Sequence, residues 1–595
     1  MTATGKPLYF GPKNLFGWYH PPAMPSKSLG VVIVSPNGYD LMCMQWGLRR
    51  CAETLAADGF PVVRFDLHGT GDSPGDDEQP DRVQAWLDSI NDAIECLKQL
   101  SGISQVVLLG VRLGGTLASV VATSRDDVAG LVLYSPCVSG RQYVRELKAM
   151  AAAARDPEHI EQEEYAPNDV IMAGWLLTAQ TVNDLGKLDI SRLVYKNRRV
   201  LYIHRSDVGA DQKLLHALHD AETTVRESAE IAAFAQDALF GIEPVEDFKF
   251  ICSWLSGLPV VAGVTNPDNE PASIANTMTE RGFVEEPVCF GPQQALFGVL
   301  CMPKANANAS CIIFVSTAAN HHIGTHRTTV ELARKLADNG IGSFRMDIAG
   351  IGDSPVVPGR TPNKIYFLPA VDEVVAAIDV VAFRGVRNIV LTGTCSGAYL
   401  AYNAACRDPR VTVLAFVNLH RFIWRDTDRL ANQLNASTES LGSYVRKALS
   451  RQTWQRLFSG QVDIAFIIPA VTAKIKRKIS GKIVQLRSRL SSNKDKPNQV
   501  LIDCCKMLDR GSHIDMIYSD NDGGMDEVAL YLGSRGKALS KYPGFSFHEI
   551  QGADHTFTTK KARSALFDTY VAAIRKYEQQ NGQNIRNKAA AVPGA

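Results

Sequence analysis

The segment "LTGTCSGAYL" (Leu391 to Leu400) holds a cysteine in a G-x-C-x-G turn, Gly393-Thr394-Cys395-Ser396-Gly397. An apolar run leads into the turn and a helical pattern leaves it. Strand, tight turn and helix in that order lift one side chain above a sheet. Serine is the usual residue at such an apex. A thiol there becomes a nucleophile once ionised, and a helix N-terminus favours the thiolate. The competing reading is a small buried residue, as expected for most of the twelve scattered cysteines. Two further groups follow in the order acid, then base. Asp522 ends the run "DMIYSDND", and His555 stands in "QGADHTF". His555 would take the thiol proton and return it to a leaving group. Asp522 would hold the imidazole tautomer, with Asp520 as the alternative acid. An oxyanion would be held by the backbone N–H of Ser396 and by a second N–H near Ala318 or Ala319, after "CIIFVST". The Ser396 side chain is expected to point away from the apex. His321, His322 and His326 in "ANHHIGTHR" have no carboxylate spaced for a metal site. They are expected at the pocket mouth, with His326 and Arg327 opening a helix, and no metal or cofactor is expected.

The elements that position these groups occur twice. "YFGPKNLFG" (Tyr9 to Gly17) recurs as "CFGPQQALFG" (Cys289 to Gly298), and "VVIVSP" answers to "CIIFVST". "RFDLHGTGDSP" (Arg64 to Pro74) recurs as "RMDIAGIGDSP" (Arg345 to Pro355). "LLGVRLGGTLA" (Leu108 to Ala118) recurs as "LTGTCSGAYLA", and "LYIHRSD" answers to "DMIYSDND". An ordered repeat of this length is a duplicated domain. Short apolar runs alternate with helical patterns in each half, which implies a mostly parallel sheet with helices on both faces. The order of hairpin, strand, D-x-x-G-x-G-D-S turn, elbow, late acid and late histidine resembles the α/β-hydrolase fold. The expected architecture is therefore two tandem α/β-hydrolase domains, each with a helical cap. They are placed at residues 1–262 and 283–580, with a linker at 263–282 and a loose tail at 581–595.

At the first elbow the apex is Arg112, which is no nucleophile and stays protonated. Asp207 keeps the acid position, and Asp237 stands near the position of the histidine. The first half is therefore expected to be degenerate. Arg112 is read either as an anion-binding residue or, by preference, as the partner of Asp207 or Asp237.

The interval from elbow to acid is longer in the second half, so its cap is larger, at about residues 421–506. It contains "AKIKRKISGKIVQLRSRL", an apolar stripe crowded by Lys474, Lys476, Arg477, Lys478 and other cations. Charge runs are usually solvated faces; the functional reading is a docking surface for an acidic partner such as an acyl carrier protein, or for a membrane surface. The whole chain of 595 residues has a net charge of +1, which leaves no global field for nucleic acid. There is no export signal, no apolar run long enough to span a membrane and no cysteine framework. These features predict a cytoplasmic protein and leave its oligomeric state open.

The first half, with "YHPP", "RFDLHGTGDSPG" and "GVRLGG", resembles the second type of exosortase A system-associated hydrolase. The second half resembles the first type, through "ANHHIGTHR", "RMDIAGIGDS", "GTCSGA", "LFSGQVDIA" and "ADHTF". Those proteins are separate chains, encoded beside acyl-activating and carrier proteins in exopolysaccharide gene neighbourhoods. The resemblance implies a partnership between an active and an inactive hydrolase domain, here fused. The leading expectation is a cysteine-dependent acyltransferase or thioesterase acting on an acyl thioester. A carboxylester or lactone hydrolase with the same three residues and a non-catalytic scaffold are the alternatives.

Overall fold

The computed structural model describes residues 5–154, 165–259, 273–305, 310–357, 360, 362–424 and 498–590. The first half supplies strands β1 (Lys6–Phe10), β2 (Leu15–His20), β3 (Leu29–Val34), β4 (Val62–Phe65), β5 (Gln105–Val111), β6 (Val128–Tyr134), β7 (Arg199–Arg205) and β8 (Glu222–Ser228). The second half supplies β9 (Phe283–Phe290), β10 (Leu296–Pro303), β11 (Cys311–Val315), β12 (Gly342–Asp347), β13 (Ile389–Thr394), β14 (Val411–Val417), β15 (His513–Ser519) and β16 (Phe545–Ile550). The sheet order is β1-β2-β4-β3-β5-β6-β7-β8 in one half and β9-β10-β12-β11-β13-β14-β15-β16 in the other. Both sheets open with an antiparallel hairpin and continue as parallel strands. This is the α/β-hydrolase fold, present twice.

The central strands read as unbroken apolar runs because helices cover both faces. On one face of the second sheet lie α6 (Thr328–Asp338) and α9 (Lys560–Ala590), and on the other α7 (Val371–Phe383) and α8 (Ser396–Arg407). In the first half, α1 (Tyr39–Ala57) and α5 (Val245–Ser256) pack opposite α2 (Arg82–Ser101) and α3 (Leu113–Thr123). Its cap mixes α4 (Gly140–Ala154) with a hairpin, Val170–Met172 to Trp175–Leu177. The helical cap expected there is present as α4 but carries a hairpin as well, which the β-branched and aromatic residues in "VIMAGWLL" favour. The second cap and its basic stretch, Lys474 to Lys478, lie outside the described residues.

Two expectations about connecting segments are corrected. The end of the predicted linker is strand: Ile274–Ala275 pairs with β1, and Met278–Thr279 pairs with β9. An open sheet edge offers unpaired backbone groups, and this chain satisfies one edge of each sheet within a few residues. The predicted loose tail continues α9 as far as Ala590. Among the described residues no helix is long and apolar enough to cross a membrane.

The halves meet through their hairpins and D-x-x-G-x-G-D-S turns. Phe16 and its repeat equivalent Phe297 face each other at 6.2 Å, with Trp18 against Phe297 at 4.6 Å. Around them the charges cross. Arg64 of the first half pairs with Asp353 of the second at 2.6 Å, and Arg345 of the second pairs with Asp72 of the first at 2.9 Å. All four side chains are buried. Burial alone would raise the pKa of both aspartates. His322 and Arg345 beside Asp72, and Arg64 and His321 beside Asp353, hold them well below the carboxylate range. Removing one member of such a network strands its partners in a medium of low polarity. Arg345→Met should therefore cost about 3–5 kcal/mol, read from urea unfolding. A loss under about 1 kcal/mol would mean that the crossed pairs do not hold the halves together.

Candidate active site

Cys395 sits between β13 and α8 with φ 53° and ψ −109°. A non-glycine residue held at positive φ is strained, and its surroundings must fix it. The flanking glycines are required by contact. A Cβ on Gly393 would lie 2.4 Å from the carbonyl carbon of Gly397, and one on Gly397 would lie 2.7 Å from the oxygen of Val315. The first half repeats the geometry, with Arg112 at φ 52° and ψ −120°.

The structure brings Cys395, His555 and Asp522 together. His555 Nδ1 lies 2.7 Å from Asp522 Oδ2. Asp520 makes no hydrogen bond to His555; its backbone N–H donates to Ile550. The other oxygen of Asp522 takes a second imidazole, His420 Nε2, at 3.0 Å. The two rings meet edge to face, 4.7 Å apart. Tyr366, at φ 52°, places its hydroxyl 3.4 Å from the sulfur and stacks on Trp424. His420, Tyr366 and Trp424 were missed in the sequence. His420 stands just past the end of β14, on the edge where this fold displays functional side chains, and that position was the available signal. Nothing local in the sequence marks Tyr366.

These neighbours set the thiol. Burial pushes Cys395 up, but a hydrogen bond from His555, the charge of His420 and His555 and the Tyr366 hydroxyl outweigh it, leaving it lowered to about 7. Burial would lower His555, but Asp522 and the thiol raise it well above its ordinary value. Asp522 is held far below the carboxylate range, against its burial, by His420 and His555. The thiol therefore ionises close to neutral pH, beside an imidazole that holds its proton more strongly than usual.

On the other side of the sulfur stands the loop after β11. Ala318 donates its N–H to Ser396 Oγ at 2.8 Å, so Ser396 points into that loop and Ala318 is occupied. The backbone N–H groups of Ser396 and Ala319 have no acceptor among the described residues. The Ala319 side chain packs against Trp46 and Ala238 of the first half.

His321 and His322 line the cavity that adjoins Cys395, His326 is not among its lining residues, and all three are buried rather than set at an open rim. His321 pairs with Asp353 at 2.8 Å; His322 bridges Asp347 at 2.8 Å and Asp72 of the first half at 2.7 Å. Two of these carboxylates are in the second half but distant in sequence, so spacing could not reveal them. The cluster of His321, His322, Asp347 and Asp353 has metal-ligand geometry. Arg64 and Arg345 already supply the cations, and His322, lowered by burial but raised further by Asp72 and Asp347, reaches about 10 and adds another. His326 is buried, and Arg327 donates to the carbonyls of Gly71 and Gly75 in the first half, both at 2.6 Å, before α6 begins.

A cavity of about 290 Å³ adjoins Cys395, His420 and His555, and Leu239 of the first half contributes to its wall. In the first half the corresponding loop borders a space of only about 20 Å³, lined in part by Trp175 and Tyr143. Arg112 does not pair with Asp207 or Asp237. It meets Asp40 at 3.2 Å and Glu146 at 2.6 Å, while Asp207 pairs with Arg205 and Asp237 accepts from the Leu239 N–H. Both carboxylates that neutralise Arg112 lie nearer in the fold than the expected ones, and the anion-binding reading of Arg112 loses its free charge.

A family model described as serine aminopeptidase, S33, matches residues 44–240, a third of the chain, all within the first half. No curated protein sequence matches the chain. Among solved structures, Est1E from Butyrivibrio proteoclasticus with bound ferulic acid is 17% identical, over 42% of this chain and 98% of its own, with a TM-score of 0.33. Proline iminopeptidase of Mycobacterium smegmatis is 13% identical, over 42% and 98%, with a TM-score of 0.30. The α/β hydrolase GrgF from Penicillium sp. sh18 is 15% identical, over 51% and 97%, with a TM-score of 0.29. Likenesses this low carry no argument about substrate.

The electrostatics give an expected titration. The ultraviolet absorbance difference between the protein and its Cys395→Ser variant should rise with a midpoint near pH 7. In His555→Gln the midpoint should move up towards or beyond 9.0, the ordinary thiol value, because burial then meets less opposition. A midpoint near 9 in the unaltered protein would contradict the lowered thiol.

Proposed function

We propose that the second half is a cysteine-dependent acyl-transfer enzyme, working through an acyl-Cys395 intermediate on a thioester donor. One observation carries this reading: Cys395 stands at a strained elbow apex beside a His555–Asp522 pair, its thiol lowered to about 7 by His555, His420 and Tyr366. The thiolate sulfur attacks the thioester carbonyl, and the carbonyl π electrons move onto oxygen. The N–H groups of Ser396 and Ala319 receive that oxyanion. The attack makes the bond from the Cys395 sulfur to the acyl carbon; collapse re-forms the carbonyl and breaks the donor's carbon–sulfur bond, and His555 delivers its proton to the departing thiolate. An acceptor amine, alcohol or water then gives a proton to His555 and attacks the acyl carbon, and Cys395 leaves as thiolate. Exchange between two sulfurs is nearly balanced in energy, so a thiol suits a thioester donor. The acyl-enzyme also stays reactive towards an amine or alcohol, which favours transfer over hydrolysis.

The first half is read as non-catalytic. Its elbow carries Arg112, paired with Asp40 and Glu146. The basic cap stretch from Lys474 to Lys478 is read as the place where an acyl carrier protein docks, and rests on sequence alone.

Matched acyl thioesters and esters test the reading by turnover. Thioesters should be consumed faster than esters of the same acyl group, and faster still when an amine acceptor is added. Cys395→Ala should lower the rate at least about a thousandfold, and Asp522→Asn by about 10²–10⁴. Turnover confined to esters would replace the proposal with ester hydrolysis. Turnover of neither, with Cys395 no more reactive to iodoacetamide than the buried cysteines, would overturn it.

A further inference from the structure

We propose that the cavity beside Cys395 is a slot for a straight apolar acyl chain of medium length, so that the donor is a medium-chain acyl thioester. This rests on the thioester reading above.

Cys395, His420 and His555 line the cavity with polar neighbours that include Ser316, Asn320, Thr328 and Thr329. The rest descends between the sheet and the helices on one face. Phe314 on β11, Leu332 on α6, Leu566 on α9 and Phe557 before α9 line it there. All four side chains belong to the apolar core on that face of the sheet. Thr392 on β13 and Tyr570 on α9 also line this part, and their hydroxyls satisfy each other at 2.9 Å. That pair therefore asks for no polar group on a ligand.

Charge narrows the ligand further. Among the described residues that line the cavity there is no Asp, Glu, Lys or Arg. The imidazoles of His321, His322, His420 and His555 also line it and offer an ammonium group no partner, which argues against aminoacyl groups. A volume of about 290 Å³ holds roughly ten heavy-atom groups at about 30 Å³ each, the share of a liquid water. An octanoyl chain fits, an acetyl group leaves most of the slot empty, and a palmitoyl chain exceeds it.

The test compares acetyl, butyryl, octanoyl and palmitoyl thioesters of N-acetylcysteamine. From acetyl to octanoyl, kcat/KM should rise by about fourfold per methylene, then fall for palmitoyl. Leu332→Trp and, from the facing helix, Leu566→Phe should each lower the octanoyl-to-acetyl ratio by about tenfold or more. Calorimetric binding of octanoate and butyrate to Cys395→Ala needs no turnover and serves as the independent measure. Octanoate should bind more tightly than butyrate, and Leu332→Trp should remove the difference. Octanoate binding of that kind without thioester turnover would retain the slot and overturn the thioester reading. Thioester turnover that is flat in chain length, with equal binding of the two carboxylates, would overturn the slot and retain the reaction. Uniform loss over all chain lengths in both variants would also overturn the slot.

Discussion

Two buried ion pairs, Arg64 with Asp353 and Arg345 with Asp72, cross between the halves at equivalent positions of the repeat. The rest of the molecule is arranged around them. A buried charge is tolerated only with close partners, so each half supplies what the other lacks. His321 and His322 are drawn into the same cluster by Asp353, Asp347 and Asp72. Those histidines close the loop that begins at Ser316 and carries the Ala319 N–H. A carboxylate of the first half thus shapes the loop that faces the thiol of the second. Ala319 also rests on Trp46 and Ala238, and Leu239 adds to the cavity wall. This accounts for the retention of a half whose own elbow holds no nucleophile: its surface is part of the other half's site.

The two elbows make an internal comparison. Both hold their apex residue at φ near 50° with ψ near −110° to −120°, so the backbone geometry survives whatever residue stands there. What differs is the company. Around Cys395 are two imidazoles on one carboxylate, a tyrosine hydroxyl and a cavity. Around Arg112 are two carboxylates that neutralise it. The elbow is a scaffold, and the chemistry lies in what the later strands deliver to it.

Much of the fold was legible because its signals are local. The apolar strand runs, the glycines of the turns and the duplicated order of "DLHGTGDSP" and "DIAGIGDSP" need no distant partner to be recognised. The pairing of Asp522 with His555 was legible through chain order in a repeated fold. What escaped depends on contacts between residues far apart in sequence. His322 meets Asp72 across 250 positions, and Arg345 meets Asp72 across 273. No spacing rule connects them, and a run of three histidines without a nearby carboxylate looks like a loose rim. Arg112 was assigned to Asp207 or Asp237 by analogy with the acid and base positions. Asp40, on α1, and Glu146, on the cap helix α4, reach it first. His420 meets Asp522 across 102 positions, and no spacing rule connects them.

The central claim is that Cys395 carries the acyl group. Its most direct test is the position of that group after acid quenching of the protein with an octanoyl thioester, digestion and peptide mass spectrometry. The account predicts the octanoyl mass on the peptide containing Cys395, with fragment ions placing it on that residue and none on any first-half peptide. Acyl found on Ser396 or on another cysteine, or absent while the donor is consumed, would contradict it.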